Sequence, residues 1–332
     1  MKRSKVYVTS NIPKAIEILR RSCVLTIHNK AKAPNKKEII RKISDKDALL
    51  CVLSDRIDSE VISSARNLKV ISSYSVGYDH IDIDAATKRG IYVAYTPDVL
   101  TETTADLAFA LMMAVARRIV EGDRLIRSGK WKDVWSYDFM LGNDLHGKTL
   151  GIIGMGRIGS ALARRAAGFD MKILYHKRNR LSIDKERELN VEYSELDNLL
   201  KNSDFVSMHV SLNNDTYHMI DEDRLRLMKA NAYLINTARG SIIDEKALVK
   251  ALRNKWIAGA ALDVYEKEPI AKNNALLKFD NVVLVPHIGS ASRETRERMA
   301  EVAAINLLDV LKVEKPLYAV NPEVQKSLAN QP

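Results

Sequence analysis

The chain has little of several things, and each shortage removes a class of explanation. Cysteine is nearly absent, with 2 residues (Cys23 and Cys51) in 332. That excludes a disulfide framework and any zinc site built on paired cysteines. Both thiols read as small buried apolar groups in a reducing, cytoplasmic setting, and no metal site is expected. Long apolar runs are missing too: the longest helical one, Ala105 to Ala116, is interrupted by Asp106 and is too short to span a bilayer. The opening M-K-R-S-K-V-Y-V-T-S passes directly into a strand pattern, so no secretory leader and no membrane association are expected. Low-complexity segments and internal repeats are also lacking. With 46% hydrophobic and 28% charged residues the composition is that of ordinary globular material, and the length suggests about two domains.

The net charge of +10 raises the question of nucleic acid. The basic pairs Arg20-Arg21, Lys36-Lys37, Arg117-Arg118 and Arg164-Arg165 lie far apart, however, with no aromatic platform between them. That pattern argues against specific nucleic-acid binding and for a solvated surface that draws in small anions.

Glycine is sparse, at 14 residues, yet four of them (Gly151, Gly154, Gly156, Gly159) fall in the run K-T-L-G-I-I-G-M-G-R-I-G-S. Gly154, Gly156 and Gly159 give G-x-G-x-x-G between a strand-like run (Leu150 to Ile153) and an alanine-rich helical run (Ala161 to Ala167). In that context the first glycine permits a tight turn, the second lets backbone approach a pyrophosphate, and the third allows close helix-to-strand packing. Dinucleotide binding is the expectation.

Because the motif sits mid-chain, a domain precedes it. Lys5 to Thr9, Val24 to His28, Ala48 to Leu53, Val70 to Tyr74 and Ile91 to Ala94 read as buried strands alternating with helices, hence a parallel α/β sheet. Pro97 breaks this pattern, and a long helix follows from about Thr103, whose hydroxyl is a candidate cap. A second sheet is expected from Leu150 to Ile153, Lys172 to Tyr175, Phe205 to Met208, Tyr233 to Asn236, Ala258 to Val264 and Val282 to Val285. Leu125 to Gly147 shows little periodicity but contains Trp131, Trp135, Tyr137 and Phe139, which suits an arm gripping a second subunit. After His287 a helical pattern, Ser292 to Leu311, returns toward the first domain.

In an open α/β sheet, ligands bind beyond the carboxyl ends of the strands. Three groups stand there: Arg239 in L-I-N-T-A-R-G, Glu268 in L-D-V-Y-E-K-E-P and His287 in L-V-P-H-I-G-S. Beside a nicotinamide they suffice for hydride transfer to a 2-oxo acid. Arg239 offers a planar donor fork for a carboxylate. His287 exchanges a proton near neutral pH, and Glu268 would orient it and favour its charged form. His209 also follows a strand and is a weaker competitor. After the second strand of the sheet the turn Y-H-K-R-N-R (Tyr175 to Arg180) has no acid for the ribose hydroxyls. Lys177 and Arg178, with Arg180 as a third candidate, would instead meet a 2′-phosphate, so NADPH is preferred and NADH possible.

These motifs, in this order and over essentially the whole chain, resemble the D-isomer-specific 2-hydroxyacid dehydrogenases, most closely the glyoxylate/hydroxypyruvate reductases. The resemblance also rests on S-V-G-Y-D-H-I-D (Ser75 to Asp82), T-A-D-L-A-F-A-L (Thr104 to Leu111) and M-K-A-N-A-Y-L-I-N-T-A-R-G-S-I-I-D (Met228 to Asp244). It implies two doubly wound parallel-sheet domains: a Rossmann dinucleotide domain at 99–287 with a dimerisation arm at about 120–147, and a flavodoxin-like substrate domain split between 1–98 and 288–332. It implies Arg239, Glu268 and His287 as the catalytic set, with Val76 and Gly77 receiving the substrate carboxylate and Leu53 lining the pocket. Cofactor positions are Thr104, Gly154, Gly156, Arg157, Ile158, Gly159, Lys177, Arg178, Asn179, Thr237, Ala238, Asp263 and Gly289. Phe139 stands where relatives that reduce glyoxylate place a Trp that closes the neighbouring subunit's pocket, with Trp135 or Tyr137 as alternatives through a register shift. The implied reaction is reduction of glyoxylate or hydroxypyruvate to glycolate or D-glycerate by a homodimer. Rival readings are a D-lactate or phosphoglycerate type of dehydrogenase, and a non-enzymatic, dinucleotide-sensing corepressor-like module.

Overall fold

Short runs rich in Val, Ile and Leu alternate with amphipathic helices, and in the computed structural model each run becomes one strand of a parallel sheet. Residues 3–132, 136–312 and 315–324 are described. The chain divides into two units, Met1–Leu100 with Ala291–Pro332 and Thr101–Ser290.

The first unit runs β1 (Ser4–Val8), α1 (Pro13–Arg20), β2 (Cys23–Ile27), α2 (Lys36–Ile43), β3 (Ala48–Cys51), α3 (Ser59–Ser64), β4 (Val70–Ser73), α4 (Ile83–Lys88) and β5 (Tyr92–Ala94). Its strands are all parallel in the order β2-β1-β3-β4-β5, the flavodoxin-like arrangement. Helix starts are marked by side-chain caps: Asn35 accepts from Glu38 N, Asp58 from Val61 N and Asp82 from Ala85 N.

The second unit begins with α5 (Thr101–Ala116) and α6 (Ile119–Arg127), then β6 (Thr149–Ile153), α7 (Arg157–Ala167), β7 (Lys172–His176), α8 (Ile183–Leu189), β8 (Glu192–Tyr193), α9 (Leu196–Asn202) and β9 (Phe205–Met208). It continues with α10 (Glu222–Leu227), β10 (Tyr233–Asn236), α11 (Glu245–Arg253), β11 (Gly259–Leu262) and β12 (Val282–Leu284). Helix α12 (Arg293–Leu311) then belongs to the first unit, where Ser72 Oγ donates to Ala303 O and Asn306 Nδ2 to Tyr95 O. The seven-stranded sheet has the order β12-β11-β10-β9-β6-β7-β8, the doubly wound pattern in which strand order reverses between β6 and β9. One face is covered by α5 and α7 through Ala105, Ala108, Met112, Ala161 and Leu162, all fully buried. The small alanines let these helices lie close to the sheet.

Several boundaries differ from the sequence expectation. The second sheet has a seventh strand, β8, whose two residues pair with Leu174 and Tyr175 and are too few to show an alternation. Helix α5 starts at Thr101, so Thr103 lies inside the first turn rather than capping it. Helix α6 occupies the start of the stretch read as an aperiodic arm. The ladder of β11 ends at Leu262, because the chain then turns to place Asp263 as a buried acceptor.

Candidate active site

The glycine loop leaves β6 at the strand-order reversal. Gly154 has φ +98°, and a Cβ there would lie 2.5 Å from His209 O, so backbone from the ends of β6 and β9 meets directly. Only glycine fits both demands. Gly156 is the N-cap of α7, which has no side-chain cap, and a Cβ on it would meet nothing within 4 Å. The loop therefore presents an open cradle of backbone in front of a helix N-terminus, with Arg157 and Ile158 opening the helix. A Cβ on Gly159 would strike Gly154 O at 2.2 Å, which explains the third glycine. This fits a pyrophosphate.

Beyond β7 stand Lys177, Arg178 and Asn179. Arg178 is 83% exposed, with only a loose 3.7 Å contact to Asp215. Such an exposed pair holds the guanidinium weakly. Arg180, the third basic candidate, is engaged elsewhere: it grips Glu186 through two hydrogen bonds (2.7 and 2.8 Å), and Glu186 also accepts from Tyr175 OH. The Arg180 and Tyr175 hydrogen bonds hold the Glu186 carboxyl down at about 2.

The three strand-end groups are assembled by backbone packing. Arg239 follows β10 in a turn held by Asn236, which is buried; its Oδ1 accepts from Ala238 N and its Nδ2 donates to Arg239 O. Gly240 then brings this turn against the next segment, since a Cβ on it would sit 1.8 Å from the carbonyl carbon of Tyr265. Backbone contact at Gly240 thus sets the Arg239 turn beside the loop that carries Glu268. Glu268 Oε1 accepts from Tyr265 N at 3.1 Å, and its Oε2 lies 2.7 Å from His287 Nδ1. The imidazole and carboxylate are partly exposed, at 24% and 31%. Burial pushes the Glu268 carboxyl up, but the His287 hydrogen bond and charge, the Tyr265 amide and the Arg239 charge prevail and leave it below its ordinary value. With Glu268 fixed on Nδ1, Nε2 is the imidazole nitrogen left to face a reactant.

His287 has φ +52°, a left-handed conformation that a non-glycine residue adopts at a cost of about 1–2 kcal/mol. Asp263 over-determines it. Asp263 O accepts from His287 N, Oδ1 from Ile288 N and Oδ2 from Gly289 N, at 2.9, 2.6 and 2.8 Å. Burial pushes the Asp263 carboxyl up to about 6. Gly289 O in turn accepts from Thr104 Oγ1 at 3.1 Å. Thr237 is buried with a hydroxyl that has no protein partner, an orphan donor of the kind a bound ligand satisfies. His209, the competing histidine, is tied to Ser207 Oγ at 2.8 Å, and burial pushes its imidazole down to about 4. It is neutral near pH 7, which disqualifies it as a proton donor there.

The remaining candidates fall in different places. Leu53, half-buried, follows β3 in a turn where buried Asp55 accepts from Val52 N and Thr9 Oγ1. Val76 and Gly77 follow β4, in a loop held by Ser73, whose Oγ lies 2.6 Å from Ser75 Oγ, and by Ser75 Oγ donating to Gly77 O at 2.6 Å. These three belong to the first unit. Phe139 belongs to the second, in a turn closed by Phe139 N donating to Ser136 O, and is 39% exposed. Tyr137 is 84% exposed, and Trp135 lies outside the described residues. Sequence reasoning missed Asn236 and Tyr265. Asn236 carried a signal, as a polar residue ending an apolar strand, whereas the use of the Tyr265 amide carries none.

Comparison with known proteins agrees with this geometry. Residues 109–289 match the D-isomer specific 2-hydroxyacid dehydrogenase NAD binding domain. The glyoxylate reductase of Thermofilum pendens is 56% identical over 98% of this chain and 97% of its own length. A solved structure from Thermus thermophilus is 46% identical with TM-score 0.89, covering 95% of this chain and 99% of that one. The NADPH-dependent glyoxylate/hydroxypyruvate reductase of Sinorhizobium meliloti, solved with NADP and malonate, is 32% identical with TM-score 0.86, covering 96% and 97%. With its dinucleotide loop, its arginine turn and its Glu268–His287 pair all on one parallel sheet, the chain belongs to the D-isomer-specific 2-hydroxyacid dehydrogenases, enzymes built around an NAD-binding domain.

Proposed function

We propose that this enzyme reduces glyoxylate and hydroxypyruvate to glycolate and D-glycerate, with NADPH as the preferred reductant and NADH as a possible one. The observation that carries the reading is the 2.7 Å contact between His287 Nδ1 and a Glu268 carboxylate held ionised. When bound, the nicotinamide supplies a hydride to the carbonyl carbon. The chain's own residues do the rest. Arg239 pairs with the substrate carboxylate and polarises the adjacent carbonyl. His287 delivers the Nε2 proton to the oxygen as it becomes an alkoxide, and Glu268 stabilises the imidazolium before transfer. One hydride and one proton are consumed per 2-hydroxy acid formed.

The Gly154–Gly159 loop with Arg157 and Ile158 cradles the pyrophosphate, and Lys177, Arg178 and Asn179 meet the ribose 2′-phosphate. Thr104, Thr237, Ala238, Asp263 and Gly289 surround the nicotinamide end. Preference for NADPH is supported by the uncommitted Arg178 and by the NADP named for the Sinorhizobium relative. In the split 1–98 and 288–332 substrate domain, Val76 and Gly77 receive the carboxylate and Leu53 lines the pocket. The enzyme works as a homodimer in which Phe139 closes the neighbouring pocket. Supporting this, no residue of α6 is buried within one chain, although Ile119 and Ile126 are apolar, and Trp131, Tyr137 and Leu141 are exposed nearby. The free, buried Cys23 and Cys51 fit a reducing cytoplasm.

An assay of glyoxylate, hydroxypyruvate, pyruvate and 3-phosphohydroxypyruvate with each cofactor tests the assignment. Highest kcat/KM for the first two with NADPH is expected. A preference for pyruvate or the phosphorylated acid would move the enzyme to the lactate or phosphoglycerate type, and no turnover of any acid would leave a binding module.

A further inference from the structure

A second histidine of the Thr101–Ser290 unit meets two carboxylates away from the Glu268–His287 pair. His218 ends a turn beginning at Asn213, Asp244 caps α11, and Glu266 lies in the loop after β11. One ligand-capable atom from each lies within 4.8 Å of the others. His218 Nε2 is buried and makes no hydrogen bond, although Glu266 Oε1 is only 2.9 Å away. The contact is close but too bent for an N–H to bridge it. Two donor atoms at that separation that do not aim at each other are placed as adjacent ligands of one cation are, since ligands about 2.0–2.2 Å from an ion lie roughly 3 Å apart.

The donors are also held from behind. The Tyr217 ring stacks on the imidazole, with centroids 4.0 Å apart and planes 15° from parallel. His218 N donates to Ser241 O at 2.8 Å. Asp244 Oδ1 accepts from Lys246 N and Ala247 N, and Glu266 Oε1 accepts from Glu245 N. Outer donors of this kind orient ligating carboxylates. One imidazole and two carboxylates suit Zn²⁺ or Co²⁺ better than Ca²⁺ or Mg²⁺, which take all-oxygen sets.

We propose that His218, Asp244 and Glu266 form a binding site for a divalent transition cation of the Zn²⁺ or Co²⁺ kind. Glu266 lies two residues before Glu268, so the bound cation ties the Glu268 loop to the start of α11 and has a structural role.

The test uses chelator-stripped full-length protein titrated with Co²⁺, followed by its visible absorption, and with Zn²⁺ by calorimetry and thermal melting. One Co²⁺ per chain with a tetrahedral-type spectrum is expected, together with a Zn²⁺-dependent rise in Tm. His218→Ala and Glu266→Gln, each checked for native far-ultraviolet dichroism, should weaken Co²⁺ binding about tenfold or more and abolish the rise. Should either variant fail to fold, the other serves. Absence of stoichiometric Co²⁺ binding by the wild type, or affinity unchanged in the folded variants, overturns the site.

Discussion

At the scale of single residues the proposed chemistry rests on which groups keep or give up a charge. Glu268 is held below its ordinary value, so the sign is that of a depressed acid: its pairing with His287 is present above the ordinary carboxylate range and is lost only as pH falls through the lowered value. Between pH 5 and 8 the carboxylate therefore stays ionised. With that partner ionised, Glu268→Gln should lower kcat for reduction while leaving NADPH affinity nearly unchanged, because the neutral amide cannot stabilise a protonated imidazole as the carboxylate does. An unchanged kcat in Glu268→Gln, with hydride transfer shown to limit, would remove Glu268 from this supporting role. Arg178 makes a separate prediction. Arg178→Ala should weaken NADPH by about one to two powers of ten, the worth of a charge-assisted contact of about 1.5–3 kcal/mol, and leave NADH nearly unaffected. Fluorescence titration with both cofactors checks this, and equal losses would contradict it.

At the scale of elements, the site depends on backbone segments pressed together at strand ends. Gly240→Ala should cost about 1–3 kcal/mol or more, with loss of activity beyond the loss of stability, because its Cβ cannot coexist with the Tyr265 carbonyl 1.8 Å away. Thermal melting and kcat on the same preparation separate the two effects. Asp263 adds a pH dependence of opposite sign to Glu268. Its folded-state value is raised to about 6 by burial, so its contribution is fullest below the ordinary aspartate value and declines as pH rises through about 6. The Tm advantage of wild type over Asp263→Asn should therefore grow as pH is lowered from 7 to 5; an advantage that shrinks would show that the carboxylate is not desolvated.

These contacts also show what could be read in advance. The buried strands, the glycine loop and the three strand-end groups were legible because each is a local pattern: apolar runs for the strands, spaced glycines for the loop, polar residues just past strand ends for the site. The two-residue β8 was not, since its pairing comes from β7 and not from its own alternation. Nor was the commitment of Arg180 to Glu186, two residues close in sequence whose pairing depends on how the turn before α8 folds. Gly240 was visible as a glycine, but its reason, the carbonyl of Tyr265, is a long-range fact.

At the scale of the whole molecule, the proposed dimer rests on an α6 with no buried residue and on the exposed Ile119, Ile126 and Trp131. Light scattering should give the mass of two chains, and Ile126→Glu should shift the enzyme toward monomer while leaving far-ultraviolet dichroism intact. Phe139→Ala should alter the kcat/KM ratios among glyoxylate, hydroxypyruvate and pyruvate more than it alters NADPH affinity, with changes of about 1–3 kcal/mol per methylene of altered fit. Unchanged ratios in an intact dimer would shift the pocket-closing role to Tyr137 or Trp135. Reduction of a 2-oxo acid by hydride transfer with His287 as acid is checked by following NADPH oxidation with glyoxylate in wild type and His287→Ala while measuring cofactor affinity in both. Rapid turnover by the wild type is expected, with a fall of about two to four powers of ten in the variant and the same NADPH affinity. An inert wild type, or a variant that turns over at the wild-type rate, would contradict it.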